Sequence, residues 1–186
     1  QDSAYPYHDW NKRVSVECYA PNAASRILGS DSRIIDIMCN YSRMSFNFGP
    51  TLLSWMEIND PETYSLIIQA DRESMERFSG HGSAIAQCYN HIIMPLASPD
   101  DKEMQVKWGI RDFEYRFGRK PEGMWLPETA VDIETLDIMA QNGILFTILS
   151  PHQAKRTKKT GTKNWHEVKS GRIDTCRPYN CRLTSG

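Results

Sequence analysis

The sequence has few cysteines, no long apolar run and almost no net charge, and each absence excludes a class of protein. Its five cysteines are scattered and form no Cys-x-x-Cys pair. This argues against a zinc site or disulfide scaffold and favours a reducing, cytoplasmic compartment, with each thiol buried as a small apolar group. No apolar stretch reaches the roughly 18 residues that span a bilayer. A net charge of −1 gives no general attraction for nucleic acid or an anionic membrane, so we expect neither as a partner.

Signatures of several enzyme classes are also missing. Gly80-His81-Gly82 is too short to be a phosphate-binding loop, and no Gly-x-Ser-x-Gly elbow indicates an α/β-hydrolase. The histidines have no i, i+4 or His-x-His spacing, so a metal site would require His81, His91 and His152 to meet in space. We therefore expect no cofactor and no metal, and a metal site at these histidines is kept as an alternative.

The first residues show no sign of a leader peptide. Residues 1–8 contain neither a basic region nor an apolar one, which argues against a signal peptide. The chain begins with Gln1 instead of Met, so we expect a piece of a longer protein.

The middle of the chain alternates helical and strand patterns. The clearest βαβ unit has a strand at 123–126, a helix near Ile133 and a continuous apolar run at 144–149, which predicts a fully buried strand. Short strands are also predicted at 44–48 and 83–90. This order is typical of a parallel α/β sheet or barrel. Apolar periodicity and capping residues predict three further helices, at about 51–58, 60–78 and 101–117.

The two ends of the chain have weaker patterns. Residues 1–20 are rich in aromatic side chains and are predicted to be irregular, because prolines disfavour a helix there. Residues 22–40 predict helical turns, with Ile34–Met38 open between helix and strand. We assign residues 1–153 to one β/α domain and 154–186 to a basic loop or excursion of the same domain.

Glu128 is the sharpest candidate for chemistry. It follows the apolar segment Trp125-Leu126-Pro127, so it lies where a predicted strand gives way to a loop. Pro127 removes a backbone donor and ends the strand, while Trp125 offers a flat surface on which a sugar can stack. A carboxylate at such a place can act as a nucleophile, a base or a metal ligand. The alternative is an ordinary acidic residue at a helix N-terminus.

Other polar and aromatic residues adjoin the predicted strands. Because the carboxyl ends of parallel strands meet at one edge, we expect such side chains to converge there. For each histidine the alternative is a structural or turn residue. The candidate substrate-binding residues are Asn47, His81, His91, Trp125 and His152.

Several segments resemble glycoside hydrolase family 57. Gly123-Met124-Trp125-Leu126-Pro127-Glu128 is similar to the family's Trp-Leu-x-Glu segment, whose Glu is the nucleophile. Asn90-His91-Ile92-Ile93-Met94-Pro95-Leu96 is similar to its Thr-His-x-x-Leu-Pro-Leu segment, whose His lines the sugar site. Residues 45–53 and 113–121 also resemble family passages. The likeness covers about residues 5–153 and is nearest to the bacterial α-amylase/α-mannosidase-like branch.

The resemblance implies a parallel β/α barrel of the incomplete (β/α)7 type, of which this chain would form only part. It implies a retaining hydrolase or transglycosylase acting on α-glucans, whether oligosaccharides or polysaccharides, with Glu128 as nucleophile and His91 and Trp125 at the sugar. The family's His-Gln-Pro motif is not found, and no Asp matches its general acid. We therefore expect the acid to lie beyond residue 186 and this portion alone to be inactive.

Two other functions are kept as alternatives. One is a metal-dependent deacetylase-like barrel, which would need a His and Asp cluster. The other is a non-catalytic carbohydrate-binding or structural domain.

Overall fold

The computed structural model describes residues 1–183 of the chain. Its α-helices are α1 (Trp10–Val14), α2 (Ala20–Ala23), α3 (Pro50–Asn59), α4 (Pro61–Arg77), α5 (Pro99–Phe117) and α6 (Ile133–Gln141). Its strands are β1 (Ser25–Leu28), β2 (Ile34–Met38), β3 (Ala86–Gln87), β4 (Met124–Trp125), β5 (Arg156–Thr157) and β6 (His166–Glu167). Over these residues, no helix is both long and apolar enough to cross a membrane.

The long helices begin and end at the residues whose local chemistry predicts it. Asp60 caps α4 and Asp132 caps α6, because their carboxylates accept the backbone N–H groups of Thr63 at 3.3 Å and Thr135 at 2.8 Å. Gly118 ends α5 with φ of 68°, a left-handed conformation that glycine adopts at little cost. The predicted helices of the middle of the chain are therefore confirmed.

Short parallel pairings hold the centre of the chain together. Phe46 pairs with Ala84, β3 pairs with β4, and Gly123 pairs with Phe146, in each case in parallel. Helix α5 connects β3 to β4, and α6 connects β4 to Phe146. The predicted parallel α/β organisation is thus confirmed, and the described residues form an open array instead of a closed barrel.

The core lies between these parallel segments and the helices that cover them. At Gly109 on α5, a Cβ atom would collide with the carbonyl oxygen of Gln87. The absence of a side chain there lets α5 pack directly against the backbone of β3. Fully or almost fully buried apolar side chains include Leu53, Met56, Ile67, Met94, Val106, Met124 and Leu126.

A buried ion pair fixes the amino end of the array. Arg119 donates from Nε and Nη2 to the two carboxylate oxygens of Asp71, both at 2.8 Å. Asp71 also accepts the N–H of Ala84 at 2.8 Å, and Arg119 donates to the Ala84 carbonyl at 2.9 Å. The ion pair therefore holds both the N–H and the carbonyl of Ala84, which is the first residue before β3 to pair with a neighbouring segment.

The predictions for the first forty residues are wrong in two places. Residues 1–20 contain α1 and a π-helical turn, Ser15–Tyr19, instead of irregular chain. The Asp9 carboxylate caps α1, and Pro21 lies in the first turn of α2, where a proline needs no N–H partner. Residues 25–38 form the antiparallel β1–β2 hairpin. The prediction of helical turns is therefore wrong for Ser25–Leu28, whereas Ile34–Met38, which the sequence left open between helix and strand, is a strand rich in β-branched isoleucine.

The apolar run at 144–149 is not the fully buried strand that its composition predicts. It bonds to the segment around Gly123 at its start, through the backbone of Leu145 and Phe146, and Leu145 is 80% exposed while Ile148 is 47% exposed. Within residues 1–183 no further segment pairs with the outer side of this run. Its apolar side chains therefore lie at the open edge of the array.

The remainder of the chain has little regular structure. Residues after 153 carry only the short β5–β6 antiparallel pair in the described part of the tail. All five cysteines are free thiols. Cys88 is buried, which raises the pKa of its thiol to about 12. The expectation of buried thiols is wrong for the other cysteines: Cys39 is half-buried, and Cys18, Cys176 and Cys181 are exposed.

Candidate active site

The parallel pairing brings the carboxyl ends of neighbouring segments to one edge, where two side-chain contacts form. Asn47 donates from Nδ2 to Oε1 of Gln87 at 2.7 Å. His91 Nε2 lies 3.2 Å from Oε1 of Glu128. We call this the carboxyl edge. It brings His91 to Glu128, as the convergence of strand ends predicts.

Glu128 lies on a strained turn directly after β4. Pro127 is buried and begins this turn, whereas Glu128 and Thr129 both adopt left-handed backbone conformations, with φ of 55° and 53°. Such conformations cost on the order of 1–3 kcal/mol for a residue that is not glycine, and a β-branched residue is especially unsuited to them. The turn leaves the Glu128 side chain 72% exposed. Strain of this kind is commonly found where a side chain must be aimed for function.

The alternative interpretation of Glu128 as a helix N-terminal acid does not fit its position. Helix α6 begins at Ile133, and Asp132 provides its capping carboxylate. Glu128 therefore precedes the cap and makes its side-chain contact with His91. Because both side chains of this pair are largely exposed, the contact adds little to stability.

His91 is placed by a side chain on α5 that the sequence did not indicate. Gln105 accepts the N–H of Asn90 at its Oε1, 2.7 Å away, and donates from Nε2 to Oδ1 of Asn90 at 3.0 Å. The backbone carbonyl of Gln105 also accepts the N–H of Tyr89 at 3.2 Å. The residues before His91 are thus tied to α5, which limits the directions that the imidazole can take.

Gln87 is a second residue that the sequence did not indicate. It is the register partner of Trp125 in the parallel β3–β4 pair, so the two side chains lie on the same face. Since Gln87 also binds Asn47, it connects two predicted site residues. An amide inside a strand has no distinctive sequence pattern, so only its position in the sheet identifies it.

A buried lysine anchors the chain just after the strained turn. Lys102 Nζ lies 2.7 Å from Asp132 and 2.6 Å from Glu134, and its side chain is only 3% exposed. Burial lowers the pKa of Lys102, but the hydrogen bonds to the two carboxylates outweigh it, and the pKa is raised. Burial raises the pKa of Asp132, but the hydrogen bonds from Lys102 and Thr135 outweigh it, and the pKa is lowered.

His152 follows Pro151 in the turn after residues 144–149, and its ring lies against the tail. A Cβ atom on Gly171 would lie 3.0 Å from this ring. The next residue, Gln153, donates from Nε2 to the carbonyl of Thr129 at 2.6 Å. The segment that carries His152 therefore contacts the turn of Glu128 through Gln153.

His81 is placed away from the carboxyl edge. Its Nδ1 lies 2.9 and 3.0 Å from the two carboxylate oxygens of Glu122. His81 precedes the segment that leads into β3, and Glu122 precedes β4, so this pair lies at the amino ends of the parallel segments. The expectation that His81 converges with the other candidates is not met.

The described residues contain no group of three or more His, Cys, Asp or Glu side chains that could hold a metal ion. The three histidines that the sequence offered as alternative metal ligands have different neighbours. His81 contacts Glu122, His91 contacts Glu128, and His152 lies beside Gly171.

The chain is similar in sequence to two characterised carbohydrate-active enzymes, an amylase and an α-glucan branching enzyme. Over 107 residues it is 30% identical to alpha-amylase 1 of Dictyoglomus thermophilum, a match that covers 57% of this chain and 15% of that protein. Over 101 residues it is 31% identical to the 1,4-alpha-glucan branching enzyme TK1436 of Thermococcus kodakarensis. This match covers 54% of this chain and 13% of that protein. The matched region thus spans about a seventh of each relative.

One solved structure shows a related fold at low sequence identity, and a second matches with a lower TM-score. An exo-type maltose-forming amylase from Pyrococcus sp. ST04 matches 76% of this chain and 21% of its own, with a TM-score of 0.52 and 20% identity. A 4-alpha-glucanotransferase from Thermococcus litoralis matches 64% of this chain and 18% of its own, with a TM-score of 0.49 and 20% identity.

A family model confirms the family resemblance that the motifs around Trp125 and His91 indicated. The model described as glycosyl hydrolase family 57 matches residues 7–182, which is nearly the whole chain. This chain therefore belongs to glycosyl hydrolase family 57.

Proposed function

We propose that this chain carries the nucleophile of a retaining glycoside hydrolase or transglycosylase that acts on α-glucans. The observation that carries the proposal is the placement of Glu128. Its exposed carboxylate lies on a strained turn at the carboxyl edge, 3.2 Å from His91. The family, together with its amylase and branching-enzyme relatives, supports an α-glucan as the substrate. We further propose that the parallel array is part of a barrel of the incomplete (β/α)7 type.

In this proposal each residue of the carboxyl edge has a separate role. Glu128 attacks the anomeric carbon, the C1–Oε bond forms as the bond to the leaving oxygen breaks, and a glycosyl-enzyme results. His91 orients the carboxylate and hydrogen-bonds a sugar hydroxyl through its other ring nitrogen. Trp125 supplies an apolar surface for the sugar face, while Asn47 and His152 complete the polar border of the site.

A substrate with an activated leaving group tests the nucleophile by itself. Retaining glycosidases use a second carboxyl group to protonate the leaving oxygen, but fluoride leaves without protonation. A 5-fluoro-α-glucosyl fluoride therefore requires only the nucleophile, and its ring fluorine slows hydrolysis of the intermediate. The chain should gain the mass of one fluoroglucosyl group, measured by mass spectrometry of the intact protein.

Two variants decide whether the label reports Glu128. Glu128→Gln should abolish the adduct without altering the circular dichroism spectrum. Glu122→Gln is the matched control, because Glu122 is another glutamate paired with a histidine but at the amino ends of the strands; it should be labelled normally. Equal labelling of both variants contradicts the proposal.

The same samples separate the alternative functions. Binding of maltooligosaccharides without any adduct favours a non-catalytic carbohydrate-binding domain. Deacetylation of acetylated glycans that stops with a chelator and survives Glu128→Gln favours a metal-dependent deacetylase. Either result replaces the retaining mechanism.

A further inference from the structure

Gln153 connects two turns at the carboxyl edge through both ends of its side-chain amide. Nε2 donates to the carbonyl of Thr129 at 2.6 Å, and Oε1 accepts the N–H of Ser150 at 2.7 Å. Ser150 precedes the turn that begins at Pro151, while Thr129 belongs to the turn after β4. The side chain therefore ties the turn of Glu128 to a neighbouring turn more than twenty residues away in sequence.

The turn of Glu128 needs such a contact because its own backbone bonds do not remove its strain. Within the turn, Thr129 donates to the Leu126 carbonyl and Ala130 donates to the Pro127 carbonyl, both at 3.0 Å. Thr129 nevertheless keeps a positive φ, which its branched Cβ disfavours. A donor held at the Thr129 carbonyl fixes the plane of the following peptide, and therefore limits rotation about ψ of Thr129.

Both ends of the turn are already fixed, so rotation at Thr129 must be absorbed at Glu128. Leu126 is buried on the upstream side. On the downstream side, Asp132 is bound to the buried Lys102. A change at Thr129 would therefore alter the backbone of Glu128 and the direction of its carboxylate, which lies against His91.

We infer that Gln153 is a positioning residue that holds Glu128 against His91 by fixing the left-handed conformation of Thr129. The inference rests on the proposed function in so far as that function assigns the carboxylate its chemical role. Gln153 itself acts through the Thr129 carbonyl and is not assigned to the substrate. It becomes the link through which the segment at 150–153 controls the direction of the nucleophile.

Small side-chain substitutions in the full chain isolate this link. Gln153→Glu keeps an acceptor for the Ser150 N–H but removes the donor to the Thr129 carbonyl. Gln153→Met, similar in size, removes both. Thr129→Gly removes the Cβ that makes a positive φ costly, so in combination with Gln153→Glu it should restore the turn. Urea unfolding of every variant shows whether it is folded before any other comparison.

The readout is the ¹⁵N resonance of His91 Nε2, which responds to its hydrogen-bond partner. In the otherwise unchanged chain, Glu128→Gln should shift this resonance. In the Gln153→Glu and Gln153→Met backgrounds more than half of that response should be lost, because the carboxylate no longer lies against the ring. Adding Thr129→Gly to Gln153→Glu should recover most of the lost response.

Two results overturn the inference. One is a full His91 response to Glu128→Gln in folded Gln153→Glu and Gln153→Met chains. The other is a loss that Thr129→Gly does not recover, since Gln153 would then act by some route other than the strained turn. No glycan takes part in this measurement, so its outcome is independent of whether the fluoroglucosyl donor labels Glu128.

Discussion

At the scale of single residues, Trp125 offers a test of substrate binding. It lies beside Gln87 on the face that leads to Glu128, and a sugar stacked on its ring would bury apolar surface. Trp125→Ala should weaken the binding of maltooligosaccharides by about tenfold, equivalent to roughly 1.4 kcal/mol. Isothermal titration calorimetry with maltopentaose measures this change.

A second tryptophan provides the control for this substitution. Trp165 is also partly exposed, but Arg156 lies 4.6 Å and Lys158 5.0 Å from its ring centroid. Because these cations already lie over its ring, Trp165→Ala should leave affinity unchanged. If the two substitutions weaken binding equally, Trp125 is not the sugar platform.

The sequence indicated the ends of the strands better than the contacts between them. Glu128, His91 and Trp125 adjoin apolar segments that end at polar residues, and such a pattern is visible without a structure. Gln87, Gln105 and Gln153 were missed because an amide acquires its role only from what folding brings beside it. The positive φ of Thr129 was also unpredictable, since a β-branched residue normally argues against that conformation.

At the scale of secondary-structure elements, the buried Lys102 determines how α5 holds the start of α6. Lys102→Met leaves the carboxylates of Asp132 and Glu134 without their cation. Because those two groups are partly exposed, we expect a loss of about 2 kcal/mol in the free energy of unfolding, below the range for a fully buried pair. Lys107→Met, which removes an exposed pair with Glu103 on the same helix, should cost less than about 0.5 kcal/mol.

The same substitution should change how stability depends on pH. The pKa of Asp132 is lowered in the folded chain, so its contribution is present above the unfolded value of about 3.9 and is lost as pH falls through the folded value. The original chain should therefore lose stability below about pH 4, and Lys102→Met should lose less over that range. Urea unfolding at neutral and acidic pH measures the loss of stability in the original chain and in Lys102→Met. If both chains lose the same stability on acidification, Lys102 does not perturb the pKa of Asp132.

The Asp71–Arg119 pair gives a further test at this scale. Asp71 is 1% exposed, and Asp71→Asn leaves the guanidinium of Arg119 without its charged partner. We expect a destabilisation of about 3–5 kcal/mol, measured by urea unfolding. Asp31→Asn removes a contact with Arg33 between exposed side chains and should be nearly neutral. If Asp71→Asn and Asp31→Asn lower the free energy of unfolding by similar amounts, the buried pair does not anchor the segment before β3.

Local signals predicted the helices well and the strands poorly. Asp60, Asp132 and Gly118 determine helix ends through contacts within a few residues, so the sequence alone locates α4, α5 and α6 closely. Strand pairing depends on distant partners. Residues 25–28 were predicted as helical turns, and residues 34–38 were left open between helix and strand, although the two segments pair with each other. Residues 144–149 were predicted to be buried although their outer side lies open in the described structure.

At the scale of the whole molecule, the parallel order of the segments explains why distant residues meet. His91 and Glu128 are 37 residues apart, yet both follow neighbouring strands that run in the same direction. The same order separates His81 from them, because His81 precedes its strand. The family match over residues 7–182 agrees with the motifs, while the relatives match over only 15% and 13% of their lengths.

The most direct measurement is to locate the label after reaction with the 5-fluoro-α-glucosyl fluoride. Peptide mapping of the labelled chain by tandem mass spectrometry should place the fluoroglucosyl group on Glu128. The adduct should be absent from Glu128→Gln and present in Glu122→Gln. A label on any other residue, or an adduct that persists in Glu128→Gln, would contradict the assignment of Glu128 as the nucleophile.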